Sequence, residues 1–144
     1  MKISSWLYAS TGTMLPSEAD VEVHDIVRQA QTRNESLHVT GALLWTEERF
    51  VQFIEGPAGG ISTLQSSILR DARHQSIVTI KCQDSNERLF PGWALAYAGP
   101  SQVVAKAVEQ AISISRKDIT AGAEMLIELL KHFSPSCVEA ETRA

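Results

Sequence analysis

Gln52 sits in the stretch Arg49-Phe-Val-Gln-Phe-Ile-Glu-Gly56, where an amide alternates with large apolar side chains. Aromatic and β-branched residues recur there with period two, so the stretch reads as a short strand. Phe50, Gln52 and Ile54 share one face, and Val51, Phe53 and Glu55 share the other. An amide buried without partners costs roughly 1–3 kcal/mol. Two readings follow: an edge strand with Gln52 facing water, or a buried amide addressing a polar ligand that lies on the sheet. Other polar groups recur at element boundaries. Tyr8 shares a face of the first strand with Ser4 and Trp6. Asn34 falls near the end of the first helix, a place where Asn is ordinarily a cap or loop residue. Arg73 and His74 follow the second helix, where cations commonly serve only the helix dipole.

These side chains need elements to hold them. Ile3 to Ala9 reads as the first strand, and Gly12 and Pro16 mark the loop after it. Ser17, with Asp20 three residues on, reads as the N-cap of an amphipathic helix over residues 18–33, with Ala19, Val23, Ile26, Val27 and Ala30 inward. Leu37 to Trp45 reads as the second strand, with Gly41 marking a bulge or a close approach. Thr46-Glu47-Glu48 joins it to Arg49–Gly56 as an antiparallel hairpin. A second helix follows Gly56-Pro57, with Ile61, Leu64, Ile68 and Leu69 toward the core, and Asp71 to His74 closes it. The run Gly56 to Gly60 lacks the Gly-Lys-Ser/Thr ending of a phosphate loop. Ser76 to Cys82 reads as the fourth strand. Trp93 to Tyr97 reads as the fifth, with Trp93, Leu95 and Tyr97 on one face and alanines on the other. Two amphipathic helices, about 101–115 and 118–133, precede a loose end over 134–144. The order is βαββαβ plus a fifth strand, a ferredoxin-like α+β fold with a five-stranded mixed sheet. Two helices cover one face, and the other face is left for the C-terminal helices or a partner chain.

Composition narrows the function classes. A chain of 144 residues, 44% hydrophobic and 21% charged, is expected to form one soluble domain with a real core. A net charge of −4 with no basic stripe argues against nucleic acid as a partner. No apolar run spans a bilayer, and the N-terminus is too quickly polar for a signal peptide, so a cytoplasmic location is expected. Cys82 and Cys137 fit no metal spacing and read as free thiols.

Taken in order, the segments resemble the BLUF family of blue-light sensors that use FAD. The resemblance covers about residues 3–98. It is carried by Leu7-Tyr8-Ala9-Ser10, by Asn34 with Val39-Thr-Gly-Ala-Leu-Leu44, by Phe50 to Gly56, by Asp71-Ala-Arg-His74, and by Arg88-Leu-Phe-Pro-Gly-Trp93. It implies a non-covalent FAD between the two core helices. It further implies that Tyr8 hydrogen-bonds Gln52, that Gln52 reaches the N5/C4=O edge of the ring, and that Asn34 holds the C4=O/N3 edge. Arg73 and His74 match a segment near the ribityl and phosphate groups, and Arg33 stands where some members pack a residue on the ring. The implied photochemistry is electron and proton transfer from Tyr8 with hydrogen-bond rearrangement of Gln52. Trp93 and the position of Leu95 are implied as signal relay, although many members carry Met where this chain has Leu95.

With no effector domain in view, the resemblance implies a short sensor: residues 1–100 as photosensor core, 101–144 as a helical output or oligomerisation extension. It would signal to a protein partner or within a homo-oligomer, with no enzymatic activity and no metal. Rival readings are a flavin-free interaction module, a flavin redox enzyme and an acylphosphatase-type enzyme. The last needs an Arg in the loop after the first strand, and Ser10-Thr-Gly-Thr-Met14 has none.

Overall fold

The computed structural model describes residues 2–133. The segment 134–144, including Cys137, lies outside the described residues. Five strands form one sheet: β1 (Ile3–Gly12), β2 (Thr40–Trp45), β3 (Arg49–Gly56), β4 (His74–Ser85) and β5 (Ala96–Ala98), in the spatial order β4-β1-β3-β2-β5. The first four pair antiparallel, and β5 joins β2 in parallel through Ala42 opposite Ala96 and Leu44 opposite Ala98. This is the expected ferredoxin-like arrangement, with the two apolar-rich strands β1 and β3 central. Their register sets Tyr8 directly opposite Gln52.

Alternation along the strands divides the buried side chains into two layers. Leu7, Ala9, Leu44, Val51 and Phe53 face the C-terminal helices α3 (Gln102–Ser115) and α4 (Ile119–Phe133), forming one cluster with Val108, Leu126 and Leu130. Trp6, Tyr8, Phe50 and Ile54 face the other way, toward α1 (Pro16–Ser36) and α2 (Ala58–Arg70). The C-terminal helices thus occupy the sheet face opposite α1 and α2. They pack closely at Gly122, where an added Cβ would lie 2.4 Å from Cβ of Ser115.

Several boundaries differ from the sequence expectation. Helix α1 starts at Pro16, its N-cap is Leu15, and no side chain caps it. Pro at the first helical position presets φ and has no N–H to satisfy, so Ser17 lies inside the helix. At its other end α1 runs on to Ser36, which places Asn34 within its last turn, and β2 starts at Thr40 rather than Leu37. Helix α2 ends at Arg70 and His74 already belongs to β4. Leu69 is 59% exposed rather than core-facing.

The fifth strand departs furthest. It is three residues long, and Gly92 at φ 84° turns the chain just before it. The period-two face assignment therefore fails at Trp93. Leu95 and Tyr97 pack toward α1, whereas Trp93 packs with Ala96 and Ala98 against the α3–α4 cluster. Gly41 marks a close approach rather than a bulge: pairing of β2 with β3 is regular there, and an added Cβ would lie 2.0 Å from the carbonyl oxygen of Phe53.

Candidate functional site

A cleft opens between α1 and α2, with β1 and β3 as its floor. Tyr8, Asn34 and Gln52 all line it, and they are only 3%, 1% and 5% exposed. Leu43, Phe50 and Leu64 supply apolar walls. The Tyr8 hydroxyl donates to Oε1 of Gln52 across the central strand pair. Trp6, two residues away on the same face, stacks on the phenol ring with centroids 4.4 Å apart. The indole N–H of Trp6 is itself tied to Oγ1 of Thr79 at 2.9 Å. Burial, and secondarily the charge of Asp71, push the Tyr8 phenol far above its ordinary range, so it stays protonated and acts as donor.

Two polar atoms in this cleft have no partner among the described residues. Oε1 of Gln52 is taken by Tyr8, but its Nε2 is not hydrogen-bonded. Nδ2 of Asn34 donates to the carbonyl of Ala94 at 2.7 Å, but its Oδ1 accepts nothing. Each buried orphan costs about 1–3 kcal/mol. A free N–H donor and a free acceptor facing an apolar slot suit a flat heteroaromatic ligand whose edge carries both acceptors and an N–H. The N5/C4=O/N3–H edge of an isoalloxazine ring has that character, so the residues present fit a flavin.

The cations expected near a ligand tail are arranged differently from one another. Arg73 donates to Asp71 at 2.9 and 2.8 Å and to Asp25 at 3.2 Å. Its hydrogen bonds hold the Asp71 carboxyl below the usual range. Nε2 of His74 donates to the carbonyl of Ile68 at 2.7 Å, and Nδ1 is hydrogen-bonded with the hydroxyl of Ser10 at 2.7 Å. Both ring nitrogens are thereby engaged, and the ring lies edge-on to Tyr8 with centroids 6.1 Å apart. Arg33 is exposed and reaches across the cleft mouth to Oγ of Ser67 on α2. Arg33, Arg73 and His74 all line the cleft with Tyr8, Asn34 and Gln52; Trp93 and Leu95 do not. Trp93 lies on the opposite face of the sheet, and Leu95 is buried among Val23, Val27 and Phe50.

Two further polar groups escaped the sequence reading. Glu55, 1% exposed, accepts the backbone N–H groups of Leu89 at 2.8 Å and Phe90 at 2.6 Å, fastening the segment that leads to β5. Its place between Phe53 and the strand end was the available signal, since a carboxylate on a buried face needs donors. Gln31, on an exposed turn of α1, donates from Nε2 to the carbonyl of Leu95 at 3.0 Å. Nothing in its spacing distinguishes it from a solvated glutamine.

The chain matches the family described as BLUF, sensors of blue-light using FAD, over residues 3–96. It is 35% identical over 97 residues, 67% of its length, to photoactivated adenylate cyclase subunit beta of Euglena longa. It is 33% identical over 69 residues, 48% of its length, to the blue light- and temperature-regulated antirepressor BluF of Escherichia coli. The matches span 11% and 17% of those two proteins. The dark-state structure of BlrB, a BLUF protein, superposes with a TM-score of 0.71 at 28% identity, covering 89% of this chain and 94% of that one. No helix among the described residues is long and apolar enough to cross a membrane. On the match over residues 3–96 and the shared fold, the chain belongs to the BLUF family of flavin-binding blue-light sensors.

Proposed function

We propose that this chain is a blue-light photoreceptor that binds FAD non-covalently between α1 and α2 and signals to a partner protein or within its own oligomer. The observation that carries the proposal is the Tyr8–Gln52 hydrogen bond, with the other end of the Gln52 amide unpaired in the cleft. Nε2 of Gln52 and Oδ1 of Asn34 would hold the ring edge. Arg33, which pairs with no carboxylate among the described residues, suits an anionic tail; Arg73 lines the same cleft but is held by Asp71 and Asp25, and His74 braces the wall between Ser10 and Ile68. Bound flavin supplies absorption of blue light and, once excited, one-electron oxidising power.

The chain's own part is a proton and hydrogen-bond device. A buried, protonated phenol can release an electron from its π-system together with its hydroxyl proton. The proton has one path along an existing hydrogen bond, from Tyr8 to Oε1 of Gln52. Return of electron and proton restores the phenol, and Gln52 is left free to pair differently because its amide carries donors on one end and an acceptor on the other. Residues 1–100 act as the photosensor, and 101–144 present the output surface.

The test is the absorption spectrum of the purified protein in darkness and immediately after blue light. A flavin band that moves to the red and returns in the dark supports the proposal, and Tyr8→Phe and Gln52→Leu should keep the band and lose the movement. A protein that stays colourless after refolding with FAD would instead be a flavin-free interaction module.

A further inference from the structure

Helix α1 grips the backbone leading into β5 with two side-chain amides. Nδ2 of Asn34 donates to the carbonyl of Ala94 at 2.7 Å, and Nε2 of Gln31 donates to the next carbonyl, that of Leu95, at 3.0 Å. Residues 31 and 34 stand one turn apart on one helix face, so the pair forms a two-pronged clamp on consecutive peptide groups. The strand it holds has little else. β5 pairs with β2 over three residues at the sheet edge, preceded by one bond from Gly41 N–H to the carbonyl of Trp93.

The two prongs differ in what else they touch. Asn34 lines the cleft and keeps Oδ1 and its second N–H for a ligand while holding Ala94. Gln31 is absent from the cleft lining and holds only Leu95. Beyond the clamp, Ala96 and Ala98 are packed into the cluster built by α3 and α4. A side-chain route from Gln52 through Trp93 or Leu95 is poorly built here. Trp93 faces the other side of the sheet, and Leu95 has no hydrogen-bonding atom in its side chain.

We propose that Gln31 is a positioning residue for the photoresponse. It holds β5 in register with α1, so that a change in the hydrogen bonding of Asn34 shifts the Ala94–Leu95 peptides and, through Ala96 and Ala98, the α3–α4 layer. The proposal rests on the photoreceptor reading, and its test separates the two.

Hydrogen exchange of segments 94–98 and 102–115 is followed in the full chain, first without flavin and then loaded with FAD in darkness and under blue light. Gln31→Met keeps the length of the side chain and removes its donor; Gln31→Lys restores an N–H donor. Without flavin, Gln31→Met should speed exchange in 94–98 by about threefold to tenfold, the range set by the net worth of one hydrogen bond, and Gln31→Lys should reverse this. Loaded with FAD, Gln31→Met should keep the full red shift and lose most of the light–dark difference in 102–115. Unchanged exchange in the flavin-free variant overturns the clamp. So does a light–dark difference in 102–115 that Gln31→Met leaves intact, or a wild type whose band shifts while 102–115 does not respond. Absence of the red shift in the wild type overturns the photoreceptor reading alone, because the flavin-free comparison still decides whether Gln31 holds β5.

Discussion

A phenol and an amide on adjacent strands become a switch through the side chains that fix them, and Trp6 is the least expected of these. Its ring stacks on Tyr8 and its N–H is anchored to Thr79. A register shift between Leu7 and Tyr8 in the pairing with β4 brings Thr79 opposite Tyr8, the re-aiming that bulges commonly perform. Trp6→Leu removes a buried aromatic wall and should lower stability by about 2–4 kcal/mol in urea unfolding. It should also shorten or lengthen the dark return of the shifted spectrum, whereas Trp6→Phe should restore most of the stability. A second expectation concerns pH. Tyr8 is held protonated in the folded chain and ionises near pH 10 when unfolded. Above that value the folded state binds more protons than the unfolded one, so stability falls as pH rises. One such group contributes a slope of up to about 1.4 kcal/mol per pH unit. Unfolding free energies measured from pH 9 to pH 11 should decline less steeply in Tyr8→Phe. At this scale strand alternation singles out Gln52 as an amide among apolar neighbours but leaves open whether it faces water, and Tyr8 takes its role from the family resemblance alone. The sequence hid the partners of His74 and Arg73, which come from residues up to 64 positions away.

At the scale of elements, the hairpin of β2 and β3 and the segment before β5 carry the argument. The hairpin was legible: two alternating runs with a short polar link admit little else. Gly41 was legible too, as a glycine inside an apolar strand, and its reason is the carbonyl of Phe53. Gly41→Ala should separate β2 from β3 and cost at least about 1–3 kcal/mol, the usual range for overpacked sites; a variant with wild-type urea midpoint would contradict that close contact. The β5 faces were not legible, since alternation assumes a continuous strand and the strand begins only at Ala96, leaving Trp93 to Leu95 outside it. The start of α1 was misread for a related reason: Ser17 has the right chemistry for a cap, but Pro16 already fits the first turn. Glu55 compensates for the shortness of β5 by holding Leu89 and Phe90. Glu55→Ala would orphan both N–H groups in a buried place. The expected loss is about 2–5 kcal/mol, read as a lower urea midpoint.

For the molecule as a whole, the sheet has two working faces and one shared scaffold. The cleft uses the α1–α2 side, and α3 and α4 complete the core on the other. The amphipathic pattern of both C-terminal helices announced a buried face, and the sheet supplied an apolar surface to receive it. This bears on how the output surface can be tested. Deleting 101–144 would uncover Leu7, Leu44, Val51 and Phe53 together. Full burial of one such side chain is worth about 1.5–3 kcal/mol, and a whole domain is stable by only about 5–15 kcal/mol. The truncated chain should therefore aggregate, with no cooperative unfolding transition, and its failure to signal would say nothing about output. Substitution on the outer side of α4 avoids the difficulty. Glu124 and Glu128 are exposed, lie one turn apart beside Met125 and Leu129, and make no ion pair among the described residues. Their joint replacement, Glu124→Lys with Glu128→Lys, should leave the unfolding midpoint and the red shift within error of the wild type. If α4 carries the output, the same variant should lose the light-dependent change in association, measured as sedimentation of the full chain alone and with its partner. A soluble, flavin-loaded 1–100 fragment would show instead that the sensor core stands without the layer it packs against.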